Sequence, residues 1–84
     1  MQKVRNEINK IDKEIISLLS KRMKLAIKIG KMKKAEGLPI RVRKREGEIM
    51  DMYLKKAKKL GLNTSFIKKL FSRIFRESRR IQRS

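Results

Sequence analysis

From Val4 onward, the apolar residues Val4, Ile8, Ile11, Ile15, Leu18, Leu25, Ile29 and Met32 recur at alternating steps of four and three. Arg22 fills the one position of this seam that is not apolar. Such stepping keeps one stripe on one side of an α-helix and predicts a single heptad helix from about Gln2 to Ala35. At 1.5 Å per residue that helix is roughly 50 Å long, more than a compact chain of this size is wide. A second stripe at Ile16, Leu19, Met23, Ala26 and Ile27 widens its apolar face, so the helix needs more than one neighbour.

The pattern breaks at Glu36-Gly37-Leu38-Pro39-Ile40, where glycine supplies a left-handed helix end and proline follows two residues later. A second helix is predicted over about Arg43 to Lys59, with Ile49, Met52, Tyr53 and Leu60 as its apolar positions and Gly61 as its stop. Asn63 or Thr64 then caps a third helix over about Ser65 to Arg83, which turns Phe66, Ile67, Leu70, Phe71, Ile74 and Phe75 inward. No stretch alternates with the period of a strand, and there is no repeat or low-complexity linker. The reading is an all-α fold of one long and two shorter helices, with residues 1–84 as a single domain.

Composition limits how such a chain can be stable. A chain of 84 residues buries only about 60–65% of its unfolded surface. With no cysteine, disulfides cannot help, and with neither cysteine nor histidine a metal site is not expected among eight acids. Oligomerisation remains, and it matches a helix too long for one chain to cover. No apolar run exceeds three residues, so neither a signal core nor a membrane span is expected, and the cytoplasm is the expected location.

The formal charge of +18 would by itself suggest a polyanion. The four aromatics, Tyr53, Phe66, Phe71 and Phe75, fall where a helical core claims them rather than on a base-stacking surface. A solvated, Lys-rich helix surface is the favoured reading, and a nucleic-acid partner is disfavoured.

Candidate chemistry lies where polar residues interrupt apolar stripes. Arg22 sits in the seam between Leu18 and Leu25, and a buried guanidinium without an anion costs on the order of several kcal/mol. Two partners are open: a protein carboxylate that sets helix register, or a ligand carboxylate gripped by the planar two-pronged guanidinium. Along the third helix the stripe Ile67, Phe71, Ile74 continues into Ser78 and Gln82, which either face inward as hydrogen-bonding groups or meet water as the last turns fray. Arg5 and Lys33 flank the seam near opposite ends of the first helix, and Arg45 and Glu46 open the second. Taken singly, each of these four reads as a solvated charge.

Taken together and in order, the strings RNEINKID, LLSKRMKLAIKIGKMKKAEGLPI, Arg45-Glu46, GLNTSFIKKLF and ESRRIQ resemble the all-helical class of chorismate mutases over nearly the whole chain. The resemblance implies a homodimer in which two long helices pair, the shorter ones wrap around them, and two equivalent sites form. It implies conversion of the dianion chorismate to prephenate by a pericyclic [3,3] shift, on the way from the shikimate pathway to phenylalanine and tyrosine, without a cofactor. It places Arg22 of one subunit and Arg5 of the other on the two substrate carboxylates. Lys33 and Gln82 fall on the ether oxygen, Glu46 on the ring hydroxyl with Arg45 as its supporting cation, and Ser78 on the wall. Many members carry an acid shortly after the P-I of the loop; Val42 stands there in this chain, within Arg41-Val42-Arg43-Lys44, a change that is tolerated if the contact is through the backbone amide and lowers activity if a carboxylate orders the loop. Two other functions stay open: an isochorismate–pyruvate lyase on the same scaffold, against which Ser78 and Gln82 speak, and a non-catalytic basic protein that binds nucleic acid.

Overall fold

A computed structural model describes every residue from Met1 to Ser84. Three helices follow one another: α1 (Gln2–Glu36), α2 (Arg43–Lys59) and α3 (Thr64–Arg83). These bounds lie within one residue of the expected ones because local chemistry marks each end. Gly37, at φ 68° and ψ 25°, lets the chain leave α1, with the amide of Leu38 bonded 2.8 Å back to the carbonyl of Lys33. Gly61, at φ 73°, performs the same turn after α2, where the amide of Leu62 reaches the carbonyl of Ala57 at 2.9 Å. Of the two candidate caps for α3, Asn63 is the one used, its side-chain oxygen accepting from the amide of Phe66 at 2.9 Å.

The chain folds into a thin slab of 53 × 24 × 14 Å, little deeper than one layer of helices. Its radius of gyration is 15.5 Å, against about 12 Å for a compact chain of this length. α3 lies between the other two helices and packs on both, while α1 and α2 do not pack on each other. The faces that meet are narrow. On α1 they are Leu19, Met23, Ala26 and Gly30, on α2 Ile49, Met50, Tyr53, Leu54 and Ala57, and on α3 Ile67, Phe71, Ile74, Phe75 and Ser78. Tyr53, Phe71 and Phe75 form an aromatic cluster with centroid separations of 4.9 Å for Tyr53–Phe71 and 6.1 Å for Phe71–Phe75.

Several positions expected to be inward are open in the single chain. Phe66 and Leu70 sit on the flank of α3 about 100° away from its contact stripe, Met52 does the same on α2, and Leu60, just past the end of α2, is exposed. Of the second α1 stripe, Leu19, Met23 and Ala26 meet α3, but Ile16 and Ile27 do not. The whole heptad seam is bare: Val4, Ile8, Ile11, Ile15, Leu18, Leu25, Ile29 and Met32 are each 45–62% exposed. Only six of the 84 residues are buried, so one chain leaves far more apolar surface in water than a stable monomer does.

Candidate functional site

Where the C-terminal half of α1, the start of α2 and the last turns of α3 converge, they enclose a cavity of about 430 Å³. Its size suits a small ligand. Seven of the eight residues singled out in the sequence line it: Arg22, Lys33, Val42, Arg45, Glu46, Ser78 and Gln82. The convergence follows from helix geometry. Arg22, Ile29 and Lys33 are seven and four residues apart on α1, and Ser78 and Gln82 are four apart on α3, so each helix presents one polar stripe. Arg5 is the exception. It lies 17 residues before Arg22 on the same straight helix, about 25 Å away, and does not reach the cavity of its own chain.

The two stripes approach closely because of Gly30. A β-carbon built on Gly30 would lie 2.8 Å from the α-carbon and 2.9 Å from the carbonyl oxygen of Gln82. The glycine is therefore a contact surface for α3, and its missing side chain sets the depth at which Gln82 sits.

Arg22 has no carboxylate partner. Its Nη1 donates to Ser78 Oγ, and its guanidinium carbon lies 5.7 Å from the centroid of the Phe75 ring. Ser78 is buried and passes its own hydroxyl hydrogen to the carbonyl of Ile74 at 2.9 Å, so its oxygen is turned to receive Arg22. Of the two partners open for Arg22, the intramolecular carboxylate is thus absent. Lys33 donates from Nζ to the carbonyl of Ile40 at 2.7 Å, which steers the ammonium into the cavity and leaves two of its three donors for other groups. Gln82 Oε1 is buried without any partner, an omission that costs about 1–3 kcal/mol unless a bound molecule satisfies it.

Glu46 is the cavity's one acid, and two arginines meet it. Arg79 Nη1 donates to Oε2 at 2.6 Å, and Arg41 Nε lies 3.5 Å from Oε1. Arg45 lines the same cavity but makes no ion pair. Arg22, Lys33, Arg45 and Arg79 against Glu46 leave a strong excess of positive charge in a space walled by Ile29, Ile40, Ile49 and Phe75. Outside this cavity, on the exposed side of α3, the guanidinium of Arg80 hydrogen-bonded to Glu77 holds that carboxyl below its ordinary value and is itself raised by the pairing.

Arg79, Ile29, Ile40, Ile49 and Phe75 are the cavity residues that sequence reading does not assign to a site. For Arg79 a signal exists: Phe75, Arg79 and Gln82 follow the same four-and-three stepping that marks the α1 seam. Among 26 basic residues it does not stand out.

The fold and site define a helical domain with a cationic, partly apolar cavity. Residues 4–83 match the chorismate mutase type II family, and the chain belongs to that family. It is 43% identical over 74 residues, 88% of its length, to the bifunctional chorismate mutase/prephenate dehydratase of Buchnera aphidicola from Schizaphis graminum, and it covers 19% of that protein. It is 35% identical over 78 residues, 93% of its length, to the T-protein of Haemophilus influenzae, covering 21% of it. The chain thus spans about a fifth of the length of these curated relatives. Among solved structures, a conserved hypothetical protein from Pyrococcus furiosus aligns with a TM-score of 0.73 and 42% identity, over 94% of this chain and 90% of that one. No helix is long and apolar enough to cross a membrane.

Proposed function

We propose that the chain is a chorismate mutase that converts chorismate to prephenate by an intramolecular pericyclic shift, as a cytoplasmic homodimer. The observation that carries this reading is Arg22, a guanidinium inside an apolar-walled cavity with a hydroxyl and an aromatic ring beside it and no carboxylate. An anion must complete its coordination, and a substrate with two carboxylates supplies one.

The reaction breaks a C–O bond while a C–C bond forms and moves no proton, so the protein supplies neither nucleophile nor general base. Its means are orientation and electrostatics. Arg22, together with Arg5 of the partner subunit, holds the two carboxylates so that the enolpyruvyl arm folds over the ring, a near-attack geometry worth several kcal/mol. As the C–O bond lengthens, negative charge grows on the ether oxygen. Lys33 and Gln82 donate to that oxygen and bind it more tightly in the transition state than in the ground state, each such donor contributing roughly 3–4 kcal/mol. The Gln82 amide can present either of its polar atoms at one place by turning half a revolution, so its Nε2 hydrogens are available to an acceptor. Glu46 accepts from the ring hydroxyl, Arg45 adds positive charge beside it, the backbone of Val42 lies at the loop side and Ser78 orients Arg22.

The bare seam supports the dimer. Two α1 helices laid antiparallel would cover Val4 to Met32 on both chains. For Arg5 of the partner subunit to stand level with Arg22 to Ile29, the two-fold axis must pass between about Lys13 and Ser17, in the middle of that seam. A site built this way can be tested by mixing two inactive proteins. Arg5→Ala and Arg22→Ala homodimers each lack an arginine at both sites. After subunit exchange, each mixed dimer has one site with both arginines intact, and chorismate turnover returns to about a quarter of the wild-type value for random pairing. No recovery on mixing, with exchange verified by mass, would contradict the shared site.

A second test concerns Gln82. In Gln82→Glu only the protonated carboxyl can donate to the ether oxygen. Activity should therefore be present on the acid side of that carboxyl's pKa and lost above it, falling at neutral pH by about 10²–10³. A pH–rate profile of the same shape as wild type removes Gln82 from this role.

A further inference from the structure

Arg79 binds the carboxylate that faces the substrate, and it does so unequally at the two oxygens. Its side chain is 12% exposed, and its bond to Glu46 Oε2, at 2.6 Å, is short and charge-assisted. The other cation near Glu46, Arg41, is 38% exposed and stands 3.5 Å from Oε1, beyond a good hydrogen bond. Oε2 is therefore held, while Oε1 keeps lone pairs for another donor.

The setting makes that difference matter. Glu46, Phe75 and Arg79 form a wall common to the 430 Å³ cavity and to a smaller one of about 240 Å³, also lined by Arg41, Arg43, Gly47, Met50 and Ser72. Glu46 stands in the first turn of α2, where no backbone contact fixes a flexible side chain, and Arg41, the second cation near it, lines only the smaller cavity. Without a tether its carboxylate would divide its time between the two spaces.

We infer that Arg79 is a positioning residue: by holding Oε2 of Glu46 it keeps that carboxylate at the wall of the larger cavity, as acceptor for the ring hydroxyl. The inference rests on the chorismate reading given above. The one bond Arg79 makes in the structure goes to Glu46, through Nη1, so its effect on a bound molecule runs through that carboxylate.

A double-mutant cycle with Arg79→Met and Glu46→Gln tests it, because methionine keeps an apolar stem in place of the arginine's and removes only the charge and donors. In the wild-type background, Arg79→Met should lower kcat/KM roughly tenfold, with more of the change in KM than in kcat, because the hydroxyl contact is made before and during the reaction alike. In the Glu46→Gln background the same change should alter kcat/KM by no more than about twofold. Arg79→Lys, which keeps the charge but not the fork, should recover part of the loss. It also carries the cycle if the methionine variant does not fold by circular dichroism. Equal tenfold losses in both backgrounds would mean that Arg79 holds substrate itself, and no loss in either would mean that Glu46 needs no tether; either overturns the inference. A wild-type protein that leaves chorismate unchanged would overturn the functional reading and the role of Arg79 with it, whereas additive losses in an active enzyme overturn only the latter.

Discussion

Arg22→Ala should abolish measurable chorismate turnover, lowering kcat/KM by at least about 10²–10³, while the protein stays folded and associated. The loss is expected to be large because, in the role proposed for it, the guanidinium is both clamp and counter-charge for a substrate carboxylate inside a space with apolar walls, where charge-assisted bonds are strongest. The fold should survive because Arg22 pairs with no protein carboxylate, so its removal strands no buried acid. Ser78 keeps its bond to the carbonyl of Ile74. Arg22→Lys separates charge from shape: an ammonium retains attraction without the two-pronged grip and should recover only a small part of the rate. Steady-state kinetics beside thermal unfolding checks both halves, and an Arg22→Ala enzyme with near-wild-type kcat/KM would mean that the anion is held elsewhere.

The second large effect is expected at a residue with no functional group. In Gly30→Ala the new methyl would have to sit 2.8 Å from the α-carbon and 2.9 Å from the carbonyl oxygen of Gln82. Both are backbone atoms, so the last turn of α3 must move. Overpacking of this kind costs about 1–3 kcal/mol, and the better helix propensity of alanine returns up to about 1 kcal/mol, so a net loss of up to about 2 kcal/mol remains. The effect on rate is larger. Ser78 and Gln82 ride on the displaced turn, and a shift near 1 Å at a positioned donor can cost about 10²-fold. Gly30→Ala should thus stay folded with up to about 2 kcal/mol less stability and be about a hundredfold slower. A variant with unchanged kcat would show that Gln82 tolerates the displacement or takes no part.

Much of the architecture is legible because turn chemistry marks it. Gly37, Pro39, Gly61 and Asn63 each allow one local outcome, and the helix bounds follow from them. The heptad seam is legible as apolar, and its bareness in one chain agrees with a helix too long for that chain. Which stripe of α1 meets α3 is less legible. Periodicity reports that a face is apolar and not what covers it, so Ile16 and Ile27 look as inward as Leu19 and Ala26. Gly30 is the sharpest case. By propensity a glycine weakens a helix, whereas here it is the closest point of contact between two of them.

The candidate site follows the same division. Arg22, Ser78 and Gln82 are visible because a polar group interrupts an apolar stripe. Lys33, Arg45 and Glu46 stand out only through family resemblance, since a lone charge on a helix carries no signal in a chain of net charge +18. Arg79 is hard to see for that reason too, and its partial burial and its 2.6 Å contact with Glu46 set it apart from the other arginines of α3. Arg5 is the opposite case: it lies about 25 Å from Arg22 on the same helix, so the role the resemblance gives it requires a second chain.

The surface charge bears on how substrate arrives. A dianion approaching a molecule of net charge +18 is drawn in from several ångströms, and the Debye length of about 8 Å at physiological salt sets the reach of that attraction.

The most direct test of the whole account is the reaction itself: purified protein at micromolar concentration with chorismate, following loss of its absorbance and identifying the product by NMR. The account predicts saturable conversion to prephenate as the sole product. Pyruvate released from isochorismate, with chorismate untouched, would assign the same cavity to a lyase, and no change in either compound would contradict the catalytic reading altogether.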